Sequence, residues 1–160
     1  MAPTKQRKDE PEKVYDLTAQ SLAPGPKSLL ILEDDLAFSE MLRLFLEDHS
    51  FKVTCVANGV EGLRQVMSTD FDIIVCDLVM PNLPGDMFYL AVERTKKYLC
   101  KRFVFMTGHK TELKWHAFLS KIDGPVMEKP FAMADLVSVI QTVLTENALK
   151  SPDTDSPRKG

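Results

Sequence analysis

The sequence predicts an α/β fold, a doubly wound (βα)5 sandwich around a five-stranded parallel sheet, and three observations predict it. Five short apolar runs alternate with longer segments of helical period. Strands that are each followed by a helix need crossover connections, which makes them parallel and covers both faces of the sheet. The runs also end in acids, a hydroxyl and an ammonium, as expected where loops converge beyond the carboxyl ends of such strands.

The first run is Leu29 to Leu32, and Glu33, Asp34 and Asp35 follow it at once. Phe38, Met41, Leu42 and Phe45 then keep the i, i+3, i+4, i+7 spacing of one apolar helix stripe. Phe51 to Val56 forms the second run, with a helix predicted over 59–68. Phe71 to Cys76 is the third, delivering Asp77, with a helix over 86–99. Phe103 to Met106 is the fourth, ending at Thr107-Gly108, with a helix over 111–120. Val126 to Met127 is the fifth and reaches Lys129-Pro130, before a last helix over 133–147.

With 160 residues, 44% hydrophobic and 27% charged, the chain has room for one domain with a sizeable core. The domain is predicted over 28–147, between tails at 1–27 and 148–160. The first tail mixes charges with Pro3, Pro11, Pro24 and Pro26 and is too poor in large apolar residues to pack alone, a short helix around Val14, Tyr15 and Leu17 aside. A net charge of −3 gives no long-range attraction to nucleic acid or anionic lipid. No apolar run approaches a membrane span, and no signal-peptide core opens the chain. Cys55, Cys76 and Cys100 are odd in number and lack a CxxC pair, which disfavours a disulfide framework or zinc site and suits reducing cytoplasm.

Three consecutive carboxylates at the end of a buried strand repel one another unless water or a cation attends them. Singly, each candidate has a plain structural reading. Asp34 and Asp35 suit the positive start of a helix, Asp77 a turn, Thr107 an N-cap, and Lys129 a solvated surface. In the predicted fold they share one cleft. Paired carboxylates with a backbone oxygen and water are a usual ligand set for Mg²⁺, so the acids are expected to hold a metal.

The segments "LLILEDD", "IIVCDLVMPNLPG", "FVFMTG" and "EKPF" resemble, in order and close to spacing, the receiver domain of two-component response regulators. The Asp77-x-x-Met80-Pro81-x-x-x-Gly85 stretch with a later Thr and Lys-Pro is the most specific part. The resemblance implies a flavodoxin-like sheet in order 2-1-3-4-5. It implies that Asp77 is the phosphoryl acceptor, assisted by Lys129 and Thr107. It also implies a Mg²⁺ site made of Glu33, Asp34, Asp77 and the backbone carbonyl of Val79, with Glu33 acting mainly through water. Asp35 stands outside the pair and is expected to start the helix. Gly85 is expected to take φ > 0 in the turn beside the acceptor, and Lys129-Pro130 resembles the family's cis bond.

The pattern departs from the family in three places. Val126 stands where many receivers carry the Tyr or Phe of their switch. The "GPVMEKPF" form is closer to receivers of hybrid sensor kinases. The positions of Val79 and His109 are those that flank the path of the hydrolysing water in the family, and apolar Val79 predicts a comparatively long-lived aspartyl phosphate. His49 and His116 show no ligand spacing and are read as surface or packing residues. Met106, Phe118, Met127, Phe131 and Met133 are expected mostly to pack the core, and Trp115 is a candidate surface anchor.

The resemblance implies a stand-alone response regulator, phosphorylated by a histidine kinase or histidine phosphotransfer protein and signalling by binding an output protein, as a monomer or weak dimer. No enzymatic activity is expected beyond Mg²⁺-dependent self-phosphorylation and autodephosphorylation at Asp77. A phosphorelay shuttle and a receiver-like module that works without phosphorylation are the alternatives. A haloacid dehalogenase-type phosphatase is disfavoured, because its second Asp would fall at Val79. A flavodoxin-like cofactor protein is disfavoured too, because Glu33-Asp34-Asp35 would repel its phosphate.

Overall fold

The computed structural model of the protein describes residues 25–108 and 112–150. The predicted short helix around Val14, Tyr15 and Leu17, and His109, lie outside them. The order of elements is β1 (Ser28–Leu32), α1 (Leu36–Asp48), β2 (Lys52–Val56), α2 (Gly59–Ser68), β3 (Ile73–Asp77), α3 (Gly85–Thr95), a 3₁₀ segment (Lys97–Arg102), β4 (Phe103–Thr107), α4 (Leu113–Leu119), β5 (Val126–Glu128) and α5 (Met133–Leu149). The sheet runs β2-β1-β3-β4-β5, parallel at every pair. This is the predicted architecture.

Alternation along the central strands divides the core in two, because successive side chains point to opposite faces. Leu30, Leu32, Ile74, Cys76, Phe103 and Phe105 pack on one face against Val66 of α2, Phe88 and Val92 of α3, and Trp115 of α4. Leu29, Ile31, Ile73, Val75, Val104 and Met106 pack on the other against Leu42 and Leu46 of α1 and Leu136 and Ile140 of α5. Burial on both sides explains why β1, β3 and β4 read as unbroken apolar runs rather than alternating ones.

Trp115 corrects an expectation. It is 4% exposed and belongs to the first core cluster, so it is no surface anchor. Its helix is short and amphipathic, and the stripe that holds Trp115 also holds Phe118 and Leu119, which pack against the same cluster. His49 and His116 are exposed, His49 lying against Phe45 with ring centroids 4.4 Å apart.

Helix boundaries differ from the predicted ones where tertiary contacts decide them. The helix expected over 86–99 stops at Thr95, because Lys96 leaves helical geometry (φ −137°, ψ 62°). Beyond that break Leu99 is fully buried, while Lys96 Nζ and the Tyr98 hydroxyl both donate to Asp70 Oδ1 at 2.9 and 2.7 Å. The helix expected over 111–120 is Leu113–Leu119, and the last helix runs two residues past 147. Among the described residues, no helix is long and apolar enough to cross a membrane.

Candidate functional site

The carboxyl ends of β1, β3, β4 and β5 bring the candidate residues together. Register aligns them: Leu32 lies beside Cys76, Asp77 beside Met106, and Thr107 beside Glu128. Glu33 follows β1 and is 2% exposed, and its N–H donates to the Val56 carbonyl at 3.1 Å. Asp77 closes β3 at 5% exposure, and Thr107 closes β4 fully buried. Lys129 follows β5; its backbone N–H donates to the Thr107 carbonyl at 2.9 Å, and its bond to Pro130 is cis.

The Lys129 side chain joins the acids. Its Nζ donates to Glu33 Oε2 at 2.6 Å and to Asp77 Oδ2 at 2.7 Å. The Phe38 ring lies 4.8 Å from the same nitrogen, and Phe131 meets Phe38 edge-on at 6.1 Å. Phe38 walls the ammonium and Phe131 backs Phe38, a feature not foreseen from the sequence. The available signals were Phe38 four residues after Asp34 and Phe131 two residues after Lys129.

The remaining acceptor sites of the acids are partly used by backbone. Glu33 Oε1 accepts from the Asp35 N–H at 3.0 Å, and Asp77 Oδ1 from the Val79 N–H at 3.0 Å. The Val79 side chain is 42% exposed at the mouth of the site. Asp35 itself caps α1, its Oδ1 accepting from the Phe38 N–H at 3.0 Å, as expected of a helix-start residue.

The turn after Asp77 corrects a second expectation. Gly85 does not have positive φ; Asn82 (49°) and Leu83 (85°) do. Glycine is required at 85 for closeness instead, since a Cβ there would stand 2.4 Å from the Asp77 carbonyl oxygen and 2.9 Å from Leu78 Cα. The loop is fastened at its other side by Gly59, where a Cβ would fall 2.4 Å from the Leu83 carbonyl oxygen.

Electrostatics follow from burial. Desolvation pushes the Glu33 carboxyl up to about 7; the Asp77 charge adds to this, while Lys129 and the Asp35 N–H oppose it. Burial works against the Lys129 ammonium too, but its hydrogen bonds to Asp77 and Glu33 outweigh that and hold it above its ordinary value. Glu33, Asp34 and Asp77 each offer an oxygen, all within 4.8 Å of one another. An all-oxygen, mostly anionic donor set with Asp34 open to solvent fits Mg²⁺, which keeps several waters in its shell.

Comparison with known proteins agrees with the fold. The response regulator receiver domain model matches residues 29–141. Transcription factor SKN7 of Candida albicans is 28% identical over 82% of this chain and 23% of its own length. Response regulator SaeR of Staphylococcus aureus is 28% identical over 73% of this chain, which spans half the length of that relative (50%). Among solved structures, a CheY-like receiver domain protein from Methanospirillum hungatei shares the fold at TM-score 0.73 and 23% identity, over 79% of this chain and 100% of its own. The chain therefore belongs to the family of response regulator receiver domains.

Proposed function

We propose that Asp77 accepts a phosphoryl group from the phosphohistidine of a histidine kinase or histidine phosphotransfer protein, and that the phosphorylated domain signals by binding an output protein. The observation that carries this reading is the Lys129 Nζ bonded to Asp77 Oδ2 at 2.7 Å, beside a second buried carboxylate. A carboxylate so placed is held at both oxygens, by the Lys129 ammonium and by the Val79 N–H. In the transfer, an Asp77 oxygen forms the new bond to phosphorus as the phosphorus–nitrogen bond of the phosphohistidine breaks, and the imidazole keeps the electron pair.

Lys129 and Thr107 are assigned to two of the phosphoryl oxygens, Lys129 exchanging carboxylate contacts for the incoming group. Glu33, Asp34, Asp77 and the Val79 carbonyl would hold Mg²⁺. When bound, the ion supplies neutralisation of charge on the transferring group. Without these cations the carboxylates would repel the donor. Three free cysteines support the reducing cytoplasm as the setting.

The test is the intact mass after incubation with acetyl phosphate and Mg²⁺, for wild type and Asp77→Ala in parallel. A single phosphoryl adduct that requires Mg²⁺ and is lost in the variant is expected. An adduct that persists in Asp77→Ala would assign the acceptor elsewhere.

A further inference from the structure

Among the described residues, two buried side-chain polar atoms lack a hydrogen-bond partner: the Trp115 indole N–H and Asp86 Oδ1. One is a donor and the other an acceptor. Leaving either unmet in the interior costs about 1 to 3 kcal/mol, so each calls for an explanation. Trp115 is 4% exposed, in the cluster that also holds Cys76, Leu78 and Phe88. Asp86 opens α3 three residues before Tyr89, and Trp115 stands three residues before Phe118, whose ring meets that of Tyr89 with centroids 5.6 Å apart.

Each residue also stands on the helix that follows a strand ending in the site, Asp86 on the one after Asp77 and Trp115 on the one after Thr107. Asp86 follows Gly85, which packs on the Asp77 carbonyl with no room for a Cβ, so movement at Asp77 reaches it without slack. Trp115 is on α4, the first helix after Thr107. That helix has seven residues and no side-chain cap.

We propose that phosphorylation of Asp77 brings the Trp115 indole N–H onto the Asp86 carboxylate, closing a latch between α3 and α4 that is open in the unphosphorylated protein. The latch rests on the assignment of Asp77 above. Its energetic source is the pair of unmet groups, which become one charge-assisted bond when α4 moves.

The chain has a single tryptophan, so nitrogen-15 labelling of indole gives one Nε1–H resonance. It would be recorded with and without acetyl phosphate and Mg²⁺, with intact mass taken on the same samples. Phosphorylation is expected to move the resonance downfield and slow its solvent exchange roughly tenfold or more, as a bond to a charged group does. Asp86→Leu should gain the adduct without the shift, and Asp86→Asn, which keeps an acceptor oxygen, should retain part of it. An adduct with an unmoved resonance, a shift that survives in Asp86→Leu, or a resonance already hydrogen-bonded before phosphorylation would each overturn the latch alone. Absence of any adduct would overturn the Asp77 assignment and the latch together.

Discussion

At the scale of single residues, Lys129 lets two buried carboxylates coexist, and Glu33 is the one that yields. With its carboxyl pushed up from 4.5 to about 7, Glu33 favours the folded state fully below its ordinary value, and that contribution is lost as pH rises through about 7. Metal-free wild type is therefore expected to lose melting temperature between pH 5 and 7.5 relative to Glu33→Gln, by the equivalent of a few kcal/mol at most. Parallel melting curves for the two proteins would place the titration on another group. For Val79 the expectation concerns the lifetime of the phosphate. Its side chain is exposed and apolar, so a water approaching an Asp77 phosphate finds no polar support there. Val79→Asn is expected to shorten the lifetime of the adduct severalfold in a mass-resolved decay, and a variant that decays at the wild-type rate would refute this.

At the scale of elements, the strands and helices place the site through close backbone contacts as much as through side chains. Gly85→Ala would set a Cβ 2.4 Å from the Asp77 carbonyl oxygen, a contact relieved only by moving the end of β3 or the start of α3. Overpacking of this kind costs about 1 to 3 kcal/mol, and here it also displaces the acceptor. The variant should melt lower and take up phosphoryl from acetyl phosphate more slowly; loss of stability with an unchanged uptake rate would confine the role of Gly85 to packing. The need for glycine was legible in the sequence, but its reason was not, because a close approach between residues eight apart depends on how the turn folds. The strands were legible because burial on both faces turns each into an apolar run. The end of α3 was not, since the ties of Lys96 and Tyr98 to Asp70 link residues 26 and 28 apart. Trp115 was misplaced for a related reason: in a seven-residue helix, too few positions mark which side is buried.

At the scale of the whole molecule, the residues of the site were legible one by one, since acids, threonine and lysine all stand at strand ends in the sequence. Their mutual bonding was not, because the bridge from Lys129 to Glu33 and Asp77 spans three strand ends and exists only once the sheet is assembled. The same geometry makes a bound ion a stabiliser of the entire fold, as Asp34 follows β1 and Asp77 closes β3. An ion that binds only the folded state adds about 2.7 kcal/mol at a hundredfold excess over its Kd. For a domain of this size that corresponds to a rise of roughly 10 °C in melting temperature. Asp34 is the place to test the link: it is exposed and its side chain appears in none of the hydrogen bonds that hold Glu33 and Asp77. Asp34→Asn should therefore melt within about 0.5 kcal/mol of wild type without metal, as surface substitutions do, and lose most of the Mg²⁺-induced rise. Wild type should show the rise saturating with Mg²⁺, together with a weaker fall in stability toward pH 7.5, because a bound cation favours ionised Glu33. An equal rise in both proteins would place the ion away from Asp34.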